Sequence, residues 1–233
     1  MLKKYLIVPI LCLFVSCAEL QDVVNQFPQG GISQAEIASG LREALNFGID
    51  KQVSKLTQKD GFFKNELVKI LLPEELRKVD KALRDIGLSN LADEGLKVLN
   101  RAAEDAVKEA TPIFVDAVKG ITFNDAKAIL VGNDDAATQY LKGRTENPLY
   151  TKFHPVIKNS FSKVGADQIW ENLINKYNSI PFTNDVNPDL TDYVTGEALK
   201  GVYTMIAIEE KEIRNKVSSR TTDLLRRVFA LQD

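Results

Sequence analysis

Histidine, tryptophan and cysteine are nearly missing from this chain: its 233 residues include one His, one Trp and two Cys. Zinc sites draw on several imidazole or thiolate ligands, so this scarcity leaves no metal site to assign. A carboxylate-bridged di-metal bundle needs Glu-x-x-His pairs, and His154 has none. A nucleophilic triad needs a His oriented by an acid. The surroundings of His154 (Lys-Phe-His-Pro) contain no acid, so it reads as a packing or surface residue and no catalytic residue is assigned. No glycine-rich phosphate loop follows a strand pattern, and no cofactor is implied. Basic charge is not in excess either, with 30 Lys and Arg against 32 Asp and Glu. Phosphate contacts need clustered Lys and Arg, which argues against a nucleic-acid partner.

A long apolar run is also lacking. The longest, residues 5–15, is shorter than the about 20 residues a spanning helix needs, and Pro9 interrupts it. Preceded by Lys3 and Lys4 and followed by Ser16-Cys17, it reads instead as a secretory signal. Phe14-Val15-Ser16-Cys17 resembles a bacterial lipobox, in which a small residue precedes a cysteine that becomes acylated. Phe14 departs from the commoner Leu, and Cys12 is a poorer candidate because the large Leu11 precedes it. The resemblance implies lipidation of Cys17 and a membrane anchor made of several acyl chains, which together hold firmly where one does not. Ala18 follows the cysteine, where Asp would imply retention at the inner membrane, so the outer membrane is expected. Cleavage removes Lys3 and Lys4 and no acid, leaving 28 basic against 32 acidic residues. It also leaves Cys17 as the one cysteine, so the exported chain depends on its own core without a disulfide.

The expected organisation is a signal over residues 1–16, the lipidated cysteine and a flexible tether over 17–32, and a helical domain over 33–233. A coil of ~15 residues spans about 20–25 Å on average. From Ser33 on, apolar residues recur at helical spacing, giving an all-α, irregular bundle of about ten helices in one domain. Ser33 and Glu36 form a capping-box pattern ahead of Ile37, Leu41, Leu45, Ile49, Val53 and Leu56. Asp60-Gly61 breaks the chain, and Phe62, Phe63, Leu67, Ile70, Leu71 and Leu72 make a short, very apolar segment that reads as a buried turn of helix. Pro73 suits a helix start. A long helix is expected from Ser89 or Asn90 to Val118, kinked at Pro112. Thr122 with Asp125 opens a short helix closing at Gly132. One helix then ends at Gly143 and another starts at Pro148, with Pro155 bending it. A helix over 167–177 and a loop over 179–189 come next. Asp189 or Thr191 opens a long helix, and Thr221 or Thr222 caps the last one.

Several stretches together resemble the bacterial family called domain of unknown function 4197. They include Gly40-Leu41-Arg42-Glu43-Ala44-Leu45, Asp60-Gly61-Phe62, Ile70-Leu71-Leu72-Pro73 and Asn100-Arg101-Ala102-Ala103-Glu104. Further on come Asp125-Ala126-Lys127-Ala128-Ile129-Leu130, Ala136-Ala137-Thr138-Gln139-Tyr140, Ile208-Glu209-Glu210 and Val228-Phe229. The resemblance implies an exported helical lipoprotein and supplies no activity to carry over.

Two polar groupings stand out. Asn100, Glu104 and Lys108 fall at four-residue steps, either as a solvated stripe or as the polar lining of a groove between helices. Glu209, Glu210, Arg214, Arg220 and Arg226 concentrate charge near the end of the chain. They form either a solvated surface or an Arg–Glu network that docks the last helix or meets a partner, a pairing to which planar guanidinium is suited. Gly40, Gly48, Gly95 and Gly201 imply close helix packing or, alternatively, an open cleft. The functional expectation is a non-catalytic interaction or structural lipoprotein that recognises an envelope protein. A carrier or sensor of an apolar ligand such as a lipid comes second, and a carboxylate-dependent enzyme third.

Overall fold

The computed structural model describes residues 32–85, 89–163, 171, 175 and 189–233. The signal, Cys17, the tether up to residue 31, nearly all of the helix expected over 167–177 and the loop over 179–188 lie outside them. Among the described residues there are eight α-helices and no strand. They are α1 (Gln34–Leu56), α2 (Glu74–Asp85), α3 (Ser89–Val107), α4 (Ala110–Lys119), α5 (Phe123–Leu130), α6 (Ala136–Lys163), α7 (Thr191–Asn215) and α8 (Asp223–Phe229). A 3₁₀ turn, Val217–Ser219, links the last two.

Helix starts follow local chemistry. Ser33 and Glu36 close a reciprocal capping box at α1, and Thr122 and Asp125 do the same at α5, satisfying amide donors that the first turn leaves without partners. Thr222 caps α8 by accepting from the Leu225 amide. At α7 the cap comes from one residue further out, where the Asp189 carboxylate accepts from the Thr191 amide at 2.8 Å.

The prolines act differently from the expectation. Pro112 does not kink one long helix; the helix divides ahead of it, α3 ending at Val107 and α4 starting at Ala110. Proline has no N–H to give the carbonyl four residues back, and its ring crowds that carbonyl. Lys108 and Glu109 accordingly turn with bonds to residues three back, Asp105 and Ala106. Conversely, the helices expected on either side of Gly143 are one continuous α6, with Pro148 and Pro155 inside it. Both prolines are exposed, and the carbonyls they leave unpartnered belong to the exposed residues Arg144 and Thr151, which water can solvate. On the opposite side Ala137, Leu141, Thr145, Leu149, Phe153, Ile157 and Phe161 are buried at every fourth position. That unbroken stripe outweighs the ~3 kcal/mol penalty of an interior proline.

α6 and α7 form the centre of the bundle, with α3, α4 and α5 against α6, and α1 and α3 against α7. α1 in turn touches α4, α5 and α8. The segment from Phe62 to Leu72, expected as a buried turn of helix, is not helical, and Leu67 and Leu71 within it are exposed. Residues 57–73 form an irregular loop that buries Phe62, Val68, Ile70 and Leu72. Asp60 adopts the left-handed conformation (φ 70°). A Cβ on Gly61 would lie 2.5 Å from the Lys55 and Leu56 carbonyls, so this loop can leave α1 only through glycine there.

Three of the four glycines singled out above mark close approach. A Cβ on Gly40 would lie 2.6 Å from Val228, one on Gly201 2.7 Å from the Phe62 ring, and one on Gly48 3.4 Å from Glu209. Gly95 is half-buried in α3. Gly201→Ala should therefore cost about 1–3 kcal/mol by overpacking. Urea unfolding of this variant measures the loss, and an unchanged midpoint would mean that Phe62 yields freely.

Candidate functional site

The C-terminal charges divide into buried and exposed sets. Glu209 and Glu210 are adjacent on α7, and one residue of helix turns them toward different neighbours. Glu209 faces α1, accepting from Lys51 and from Gln52, each at 2.7 Å. Glu210 faces the start of α6. It accepts from the Ala137 and Thr138 amides at 2.9 and 2.8 Å and from the Thr138 hydroxyl at 2.8 Å. A carboxylate supplied by α7 thus meets the amides of the first turn of α6, the end of a helix that favours negative charge. Arg214, one turn on, donates to Glu210 from Nε and Nη2 at 2.9 and 2.7 Å. Its remaining donors reach the Leu130 and Ile129 carbonyls at the end of α5. Arg220 donates to the Ile213 and Arg214 carbonyls and to both carboxylate oxygens of Asp233. The Asp233 carboxyl is held below the usual range by that guanidinium. Glu209, Glu210, Arg214 and Arg220 are all buried. Arg226 stands apart, exposed and paired with Asp223 at 2.6 Å.

The α3 set divides likewise. Asn100 and Glu104 are buried, while Lys108 lies past the end of the helix, exposed beside Asp105. Asn100 accepts from the Ile70 amide at 2.8 Å and donates to the Ile70 carbonyl at 2.9 Å. Glu104 accepts from the Phe62 amide at 3.1 Å, the Asp60 amide at 3.3 Å and Arg101 at 2.6 Å. Arg101 also binds Asp60 at 2.6 Å. These side chains fasten the 57–73 loop to α3. Asp60 and Arg101, which complete the clasp, carried no spacing signal in the sequence.

A cleft of about 600 Å³ runs between α6 and α7. Lys142, Glu146 and Asn147 of α6 face Lys200 and Thr204 of α7 across it, with Tyr203 among the lining residues. The Thr145 hydroxyl donates to the Leu141 carbonyl, so the Tyr203 hydroxyl is the donor in its 2.8 Å contact with Thr145. Burial pushes the Tyr203 phenol up to about 12. Tyr150 also lines the cleft. Its hydroxyl donates to Asp192 at 2.5 Å, and His154 Nε2 lies 3.0 Å from the same oxygen. The acid absent from the sequence around His154 is therefore supplied by α7. The Tyr150 phenol is shifted upward, chiefly by its bond to Asp192. Elsewhere a void of about 20 Å³ beside Glu210 and Arg214 is lined by Leu41, Gly48, Ile206 and Phe229, room for about one water. Among the described residues no group of three or more acidic, His or Cys side chains is placed to hold a metal ion. No described helix is long and apolar enough to cross a membrane.

The packed helices and their internal charge clasps define a single all-helical domain. The chain belongs to the family described as protein of unknown function (DUF4197), whose model matches residues 31–230. No curated protein and no solved structure matches it.

Proposed function

We propose that this chain is a cell-envelope lipoprotein, anchored through acylated Cys17 to the outer membrane, whose helical body serves as a non-catalytic interaction or structural module for an envelope protein. The address rests on the lipobox resemblance at residues 14–17. The family model covers residues 31–230, so residues 14–17 fall outside the matched stretch and the address is argued from the lipobox pattern alone. One observation carries the non-catalytic reading: the buried charges Glu104, Glu209, Glu210, Arg214 and Arg220 are each engaged by backbone groups or side chains of the chain itself. Such engagement makes a rigid body and leaves these groups little freedom for proton transfer. The exposed α6–α7 cleft, with charges of both signs, is the surface offered to a partner.

The test is the intact mass of the protein gently extracted from its own membranes. The expected result is a chain starting at Cys17 and carrying acyl groups, with Cys17→Ser lost from the membrane fraction. A mature chain without the acyl mass overturns the anchor. A stoichiometric apolar adduct on the domain would replace the interaction reading with that of a carrier.

A further inference from the structure

We propose that a pocket between α4 and α6 captures the C-terminal residue of a partner protein, with Arg144 taking its free carboxylate. This rests on the reading of the body as an interaction module, not on the anchor, and adds a contact separate from the α6–α7 cleft.

The pocket has a volume of about 400 Å³, with Ile113 and Ala117 of α4 facing Tyr140, Arg144 and Pro148 of α6. Tyr140, Arg144 and Pro148 follow at four-residue steps, one face of the helix, while Lys142, Glu146 and Tyr150 line the cleft on another. Ile113, Ala117 and Tyr140 are half-buried and form the walls; Arg144 and Pro148 are exposed at the mouth. Apolar walls with a few placed polar groups are the usual make-up of a binding pocket. The open mouth suits the end of a chain whose remainder lies outside.

Arg144 supplies the charge. Its guanidinium lies 5.5 Å from the centre of the Tyr140 ring, where the negative face of the ring favours a cation. It enters no ion pair among the described residues. The acids around it have partners of their own. Asp116, on the rim, pairs with Lys119 at 3.5 Å. Asp125 acts on Arg144 by its charge and meets the Tyr140 hydroxyl. Its Oδ2, however, accepts from the Thr122 amide and hydroxyl at 2.9 and 2.8 Å in the capping box of α5. Counted with Lys119 and Asp125, the charges at the pocket balance. What invites an anion is therefore not a surplus of positive charge but a guanidinium fork with no carboxylate in it, a shape made for two parallel bonds to one.

Pro148 supplies the second polar group. It has no N–H to give the Arg144 carbonyl, so Arg144 offers an acceptor as well as its donors. A chain terminus carries the complement of all three features: a carboxylate for the guanidinium, an amide N–H for the carbonyl, and an apolar side chain for the walls. A segment from the middle of a chain has no main-chain carboxylate to offer.

The test uses the protein purified from its own cells and three fluorescein-labelled peptides, Gly-Ser-Gly-Ser followed by Leu, Val or Phe, read by anisotropy. At least one free-acid peptide should bind saturably. Its C-terminal amide should bind about ten-fold more weakly, the loss of a charge-assisted bond. Arg144→Gln should weaken the free acid by a similar factor and Arg144→Lys by less, both with the urea midpoint of the parent, since Arg144 is exposed. Binding that the amide shares, or that Arg144→Gln retains, overturns carboxylate capture. Displacement of the peptide by an equal concentration of octanoate overturns the chain terminus as the occupant, the pocket then taking apolar acids in general. No saturable binding by any of the three peptides at millimolar concentration overturns the pocket and leaves the interaction reading to the α6–α7 cleft. A missing acyl mass on Cys17 removes the anchor and leaves this contact as it was.

Discussion

Glu210→Ala should destabilise the domain by about 3–5 kcal/mol, the cost of leaving a buried ionic partner uncompensated. The carboxylate accepts from two amides and a hydroxyl at the start of α6 and from Arg214. Its removal leaves the Arg214 guanidinium buried without an anion and the first turn of α6 without acceptors. Arg214→Met should cost less, because the α6 donors remain to hold the carboxylate. Equilibrium unfolding in urea measures both. A loss for Glu210→Ala within about 1 kcal/mol, typical of an ordinary substitution, would show that water replaces the carboxylate readily and that this clasp is not what holds α6 to α7.

Glu104→Ala is expected to cost about 2–3 kcal/mol, since a charged acceptor is lost to buried donors, and its effect should be local. The Asp60 and Phe62 amides lose their acceptor, so their hydrogen exchange should accelerate far more than that of amides in the middle of α7. Uniform acceleration across the domain would instead mean that the loop opens only when the whole domain unfolds. Asn100 provides the comparison: it grips Ile70 at the other end of the loop, and Asn100→Ala should loosen residues near 70 more than those near 60.

What the sequence disclosed was what short spacing can encode. The capping boxes at Ser33 and Thr122, the break at Asp60-Gly61 and the apolar stripe of α1 are local patterns, and the structure contains them all. The prolines misled because an exposed proline does not by itself decide whether a helix breaks or continues. Pro112 and Pro148 carry the same local signal and both are exposed, yet the chain divides its helix ahead of the first and continues its helix through the second. The polar clasps were half legible. Four-residue spacing marked Asn100 with Glu104, and the concentration of charge near the end of the chain marked Glu210 and Arg214. Neither reveals that Thr138 lies under Glu210, 72 residues later in the chain, or that Asp192 comes to His154. Those partners are chosen by how helices cross, which no window of a single helix contains.

The position of α1 has a consequence for the order in which the molecule takes shape. This first helix of the domain is closed in by the last two: Gly40 lies against Val228, Gly48 against Glu209, Glu43 accepts from Thr222 and Glu36 pairs with Arg227. A chain made from its N-terminus therefore produces the apolar face of α1 long before the residues that cover it. Contacts so distant in sequence form late, and until they form an uncovered face invites aggregation. The body can complete itself only once essentially all of it has been made, so a nascent chain stalled before α7 would be a natural client for any factor that shields unfinished polypeptides.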